Sequence, residues 1–409
     1  MSAAVTRTAY SAGTVIAAGC AISLMGFGPR SVMGFFQLPI ITENGWGRDV
    51  FGLAIAVQNL FWGIGQPFAG AVADRFGVMK VLVGGILLYA AGLVLMTLST
   101  SPTVFTITSG VLIGFGLAGC SFNLVLAAFG KLLPPERRPM ALGFGTAAGS
   151  FGQFLFSPLA VGLIDGAGWK MALLVFAGLI LATLPLTIFL ATTPRSSAPE
   201  PEADRRTLMQ TLSQAFGHTS YILLILGFFT CGFQLAFITI HLPAYLKDVG
   251  IDASIGPWVL ALIGLFNIAG SIGSGYVMTR MPRRYLLAMI YTLRSLAIIA
   301  LLVFPPSNIL VLAFGAAMGL LWLSTVPPTS SLVMTMFGTR DMAMLYGFAF
   351  FSHQVGGFLG GWLGGVFYEW YGNYNLVWWG SIALGFASAA INLPIVEKAA
   401  PLKAVPQPG

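Results

Sequence analysis

The sequence predicts an all-α integral membrane protein of twelve transmembrane helices in two six-helix pseudo-repeats. Three observations predict it. Hydrophobic residues make up 57% of the chain and charged residues only 8%, far from soluble composition. The charges sit in short patches between apolar runs of about 20 residues or more, the length an α-helix needs to cross a ~30 Å hydrocarbon core. Six such runs are followed by a polar segment and then by six more that echo them.

The predicted spans, in order, are 12–41, 49–72, 80–99, 103–129, 139–164, 169–191, 219–244, 255–279, 285–304, 308–335, 342–368 and 374–396. With a cytoplasmic N-terminus, fifteen basic residues fall in inside segments, against Arg48, Lys170 and Lys247 outside. That positive-inside bias orients the chain with both termini in the cytoplasm. The segment 192–218 is rich in Pro, Ser and acidic residues (Pro194, Ser196, Pro199, Glu200, Glu202, Asp204). It is expected to be a flexible cytoplasmic linker between six-helix bundles at 1–191 and 219–409. The halves echo one another: Gly70 to Arg75 after span 2 matches Gly275 to Arg280 after span 8, and Gly143-Phe144 in span 5 matches Gly347-Phe348 in span 11. Two parallel repeats of this kind are the sequence form of an alternating-access carrier.

Composition also excludes. The net charge of +7 is topological, so no nucleic-acid partner is expected. Cys20, Cys120 and Cys231 all lie in apolar runs, which argues against a disulfide framework or a metal site. No small-residue cleavage site follows the first apolar run, so it is expected to be retained as a helix. Gly114-Phe-Gly116-Leu-Ala-Gly119 spells a nucleotide-binding fingerprint, but it lies inside an apolar helix with no strand before it and is expected to serve helix packing. No Walker lysine motif and no Ser-His-Asp set is present, so neither an enzyme nor a cofactor is expected.

The polar residues left inside the spans are the candidate working parts. Arg30 follows Gly26-Phe27-Gly28-Pro29 near the middle of span 1. Proline disturbs a helix, irregular backbone at membrane depth lines cavities, and a charge there costs at least ~2.5 kcal/mol unless matched. Arg30 is therefore expected to receive an anionic group. Asn59, Trp62 and Gln66 share one face of span 2. Gln234, Phe237 and His241 repeat the pattern in span 7, and Asn123 lies in span 4. Amides and aromatics on one stripe suit a cavity wall; interhelical hydrogen bonding is the equal alternative. Asn267 in span 8 and His353-Gln354 in span 11 lie at mid-depth. Arg294 in span 9 is a possible second cationic site, with a structural role bonded to carbonyls preferred. Trp322, Pro327 and Pro328 suggest an aromatic wall beside a bend in span 10.

Gly70-Ala-Val-Ala-Asp74-Arg75-Phe-Gly77-Val-Met-Lys80 resembles the loop 2–3 signature of the major facilitator superfamily. The resemblance implies a latch, between the halves at the cytoplasmic face, that opens with the transport cycle. Pro29-Arg30-Ser31 with Phe35-Phe36, Gly45-Trp46-Gly47, and Phe129 through Ser150 resemble segments of its monocarboxylate transporter and oxalate–formate antiporter group. There are departures. An Asp and an Arg four residues apart in span 8 of that group correspond here to Asn267 and Ser271, and its span 1 Lys corresponds to Arg30. The proline–glycine motif of drug–proton antiporters is not reproduced around Ser157-Pro158.

The expectation is a carrier of a small organic anion, monocarboxylate-like, in a bacterial inner membrane and monomeric. A carrier of a neutral or aromatic metabolite, or a drug-efflux carrier, is the first alternative; a transporter-like sensor is the second. All thirteen acidic residues fall in loops, the linker or span ends, so uniport or anion exchange is expected ahead of proton symport relayed by His353.

Overall fold

The computed structural model of the chain describes residues 10–134, 137–192, 208–337 and 342–399. Among them the secondary structure is helical, with no strand. Span 1 is α1 (Ala12–Ser31), a 3-10 turn at Met33–Phe36 and α2 (Gln37–Asn44). Span 2 is α3 (Arg48–Phe76) and span 3 is α4 (Val78–Thr97). Span 4 comprises α5 (Pro102–Phe105), a π-helical stretch Thr106–Leu112, α6 (Ile113–Cys120) and α7 (Phe122–Leu132). Spans 5 and 6 share α8 (Arg138–Leu181), which turns at Gly168 (φ 82°). After α9 (Leu208–Phe216) come α10 (Thr219–Asp248), α11 (Ile255–Val277) and α12 (Arg283–Val303), which are spans 7, 8 and 9. Span 10 is α13 (Asn308–Leu321) plus α14 (Val326–Phe337), span 11 is α15 (Met342–Tyr371) and span 12 is α16 (Asn375–Asn392).

Eight helical stretches among the described residues are long and apolar enough to cross a membrane, one of them, Ala147–Leu190, covering spans 5 and 6. Helices α3, α15 and α16, of 29, 30 and 18 residues, complete the twelve. The odd-numbered loops lie on the face opposite the first and last described residues, Tyr10 and Ala399. That face is called the opposite face below, and the other the terminal face.

Three interruptions shape the interior. Pro29 lacks the N–H that would bond one turn back, yet α1 runs through it to Ser31 and loosens only at Val32–Phe36. The disturbance expected at the Gly-Phe-Gly-Pro stretch thus falls on the following turn. In span 10, Pro327 and Pro328 occupy the first turn of α14, where a missing N–H costs little, and residues 322–325 are left non-helical before them. In span 4 the break comes at Ser121, whose extended backbone (φ −65°, ψ 154°) separates α6 from α7. Serine favours that N-cap geometry, and the glycines before it weaken the helix.

The halves meet along two helix pairs, α3 against α15 and α8 against α11. Within the second half, α10 and α15 press together: a Cβ on Gly232 would lie 1.7 Å from the His353 carbonyl oxygen, and one on Gly356 2.0 Å from that of Phe229. Only glycine permits so close a crossing, as small residues do in membrane bundles generally.

Candidate functional site

Arg30 is 6% exposed, between spans 1 and 2. Its Nη2 donates to Asn59 Oδ1 at 2.7 Å. Its Nε is buried with no partner, and no ion pair among the described residues includes it. A guanidinium so placed, with one neutral acceptor, carries unmet positive charge in a low-dielectric setting.

A polar chain runs from there across the seam between the halves. Gln354 on α15 donates through Nε2 to the Asn59 backbone oxygen at 3.2 Å. That fixes its amide orientation and turns Oε1 to His353 Nδ1, 3.0 Å away. A carbonyl oxygen can only accept, so Nδ1 carries the proton. The half-buried His353 ring stacks on Phe350, and Phe350 meets Trp62 edge-on at 5.7 Å. Trp62 Nε1 donates to Gln66 Oε1 at 3.1 Å. The predicted stripe of span 2 therefore faces span 11, together with Arg30, His353 and Gln354.

Other candidates go elsewhere. Gln234 is fully buried and donates to the Ser381 carbonyl of span 12, inside the second half. His241 is sealed at the opposite face. Its Nε2 donates to the Gly361 carbonyl at 2.8 Å, so Nδ1 is the acceptor for Gln37 Nε2 at 3.2 Å. Span 7 thus turns its amide and imidazole to packing partners and not to Arg30. Asn123 is half-buried in the first turn of α7. Asn267, fully buried, joins three elements: it donates to Ser150 Oγ across the seam (3.0 Å) and accepts from Ser271 Oγ (3.2 Å) and from the Leu323 amide in the break of span 10 (3.0 Å). Arg294, fully buried, bonds the carbonyls of Leu321 and Trp322 at the end of α13. Trp322 is buried beside that break.

At the terminal face, Gly77 has φ 92°, ψ 146° and lies against the Thr192 carbonyl. Thr192 Oγ1 also accepts from the Val78 amide. That φ explains why the signature needs glycine there. Gly70 has open space around it and Lys80 is exposed; the side chains of Asp74 and Arg75 lie outside the described residues.

The opposite face is closed by groups that had no sequence signal. Arg48 forms a two-pronged ion pair with Asp248, at 2.7 and 2.9 Å. It also donates to Tyr374 Oη at 2.9 Å and lies 3.7 Å over the Tyr368 ring. Its backbone N–H donates to Glu369 Oε1 at 2.7 Å. Helices α3, α10 and α15 are thereby tied where the halves meet. Among the described residues no group of three or more His, Cys, Asp or Glu is arranged to hold a metal ion.

Comparison with known proteins adds three findings. The model of the Major Facilitator Superfamily matches residues 16–361. The uncharacterized MFS-type transporter YcxA of Bacillus subtilis (strain 168) is 28% identical over 83% of this chain and 84% of its own length; monocarboxylate transporter 13 of Bos taurus is 26% identical over 76% and 71%. A crystal structure of a bacterial homologue of the human lysosomal transporter Spinster, inward-facing and unoccupied, superposes with a TM-score of 0.75 at 14% identity, over 94% of this chain and 97% of that one. At that identity the likeness concerns the fold alone.

Proposed function

We propose that this chain, which belongs to the Major Facilitator Superfamily, carries a small organic anion of monocarboxylate type by alternating access, with Arg30 as the anchor for its charge. The observation that carries this reading is Arg30 itself. It is buried, bonded through Nη2 to one neutral amide, and otherwise unmatched. An uncompensated charge at membrane depth is expensive, and an anion that arrives and leaves relieves it once per cycle. The relatedness to a monocarboxylate transporter points the same way.

The proposed orientation places the terminal face in the cytoplasm of a bacterial cell and the opposite face outside. The closed Arg48–Asp248 face is then the outer gate, and Gly70 to Lys80 the inner latch. Asn59, Trp62, Gln66, His353 and Gln354 line the seam beside the anion. The test is uptake into proteoliposomes of lactate, pyruvate and oxalate against an uncharged panel. Arg30→Gln abolishes uptake of the acid while membrane expression persists, and Arg30→Lys retains part of it, because the charge stays but the planar fork is lost. Normal transport by Arg30→Gln overturns the assignment.

A further inference from the structure

Four elements of the first half bring unpaired hydrogen-bond donors to one level of the membrane. Span 1 touches the break of span 4 at Gly26, where a Cβ would lie 2.9 Å from the Cys120 carbonyl oxygen. Span 3 touches the same break at Gly85, 2.6 Å from the Cys120 nitrogen by the same measure. Arg30 and Tyr89 each lie four residues further on, so each occupies the same helix face one turn nearer the opposite face. Helix α7 starts at this break, and its first amides point along its axis toward that same level. The amides of Phe122 and Asn123 open the helix with no acceptor among the described residues, and Ser121 provides no side-chain cap.

The side chains around this point share one defect. Arg30 Nε, Tyr89 Oη, Asn59 Nδ2 and Ser121 Oγ are all buried with no partner, on residues between 0% and 6% exposed. Native proteins pair nearly all such groups. Four orphans that can all donate, beside an open helix N-terminus and a guanidinium, lack one thing in common, an acceptor. No acidic side chain among the described residues supplies it.

We infer that the carboxylate of the carried anion is bound by the first half alone, at the break of span 4. Arg30, Asn59, Tyr89 and Ser121 are its side-chain donors, and the first amides of α7 complete the ring. This rests on the anion reading of Arg30 and deepens it. The ligand is a monoanion, because one guanidinium faces the site and the other buried ones are engaged, Arg48 with Asp248 and Arg294 with backbone carbonyls. Helix N-termini favour such groups through both free N–H bonds and the dipole. The second half then contributes the seam and no charge to the carboxylate.

The experiment is titration of purified protein with lactate, pyruvate and acetate by calorimetry, together with melting of the ligand-free protein. Tyr89→Phe removes one oxygen and preserves shape, and Ser121→Ala removes another. Each is expected to weaken carboxylate binding about ten-fold or more, as expected for a lost bond to a charged group. The ligand-free melting temperature of Tyr89→Phe is expected to hold or rise, since an unpaired buried hydroxyl is removed. Unchanged affinity in both variants, with Arg30→Gln inactive, sinks this inference and leaves the anion reading standing. Unchanged affinity with a lowered melting temperature sinks it too, and assigns the hydroxyls to a structural water. Normal binding by Arg30→Gln sinks both.

Discussion

Neutralising one side of the Arg48–Asp248 clamp gives a direct measure of what holds the opposite face shut. In Asp248→Asn the carboxylate that receives Arg48 at 2.7 and 2.9 Å becomes an amide. The side chain of Arg48 is 10% exposed and that of Asp248 31%. A hydrogen bond to a charged group is worth ~1.5–3 kcal/mol when dry; the partly wet carboxylate brings this to roughly 1–2 kcal/mol. The stacking of Arg48 on Tyr368 and the Glu369 contact survive the change, so the clamp weakens without vanishing. Since the pair joins the halves only when this face is closed, its loss shifts the closed-to-open ratio by about 5–30-fold toward open. Spin labels at exposed Thr42 and Ala253, one on each half, report the opening as a longer distance by pulsed electron resonance. Cys20, the one native thiol that is not buried, is replaced beforehand. A distance distribution identical to the parent's refutes the gating role.

Three further outcomes are expected. Gly34→Ala places a Cβ 2.2 Å from the Thr239 backbone oxygen across the seam; it wedges the same face and lengthens the same label distance, and an unchanged distance rejects the wedge. Asp74→Asn weakens the proposed inner latch by ~1–3 kcal/mol and raises thiol labelling from the terminal face, whereas labelling unchanged from the parent on both faces argues against a latch. His353→Gln leaves anion uptake driven by internal anion intact, because uniport or exchange needs no titrating group; strong uptake driven by a pH gradient in the parent, lost in the variant, reverses that expectation.

Much of the fold is legible in the sequence because a bilayer leaves few options. Each span must satisfy its own backbone, so apolar length and flanking charge are enough to place it. The face shared by Asn59, Trp62 and Gln66 follows from helical spacing. What spacing cannot supply is the partner. Gln234 and His241 lie on one stripe as expected, but that stripe meets span 12, α2 and the Gly361 carbonyl instead of the central seam. Arg48 and Asp248 are 200 residues apart, each an ordinary loop charge until the halves close. The break at Ser121 has no proline to announce it, whereas the one before Pro327 was foreseeable. Tyr89 is one tyrosine in an apolar helix, and only its missing partner distinguishes it.

The two buried arginines at mid-span, Arg30 and Arg294, show how one device serves opposite ends. Each half contains a span broken at mid-depth, and each break exposes both a negative helix end and a positive one. Arg294 meets the negative end. It bonds the last carbonyls of α13, and Asn267 accepts the Leu323 amide beside them. The Nε and Nη2 of Arg294 are met within the protein, with Nη1 left unpaired, and the contact fixes the break in place. Arg30 lies one turn beyond the other kind of end, the N-terminus of α7, on the side toward which that helix's free amides point, so that they add to the arginine's charge instead of offsetting it. Two positive features facing one another at membrane depth are unfavourable without an anion between them. The polarity of the nearer helix end, more than depth or burial, therefore separates the arginine that braces the fold from the one available to bind. A carrier needs that imbalance in only one half, since the other half must let go of the solute when the seam opens.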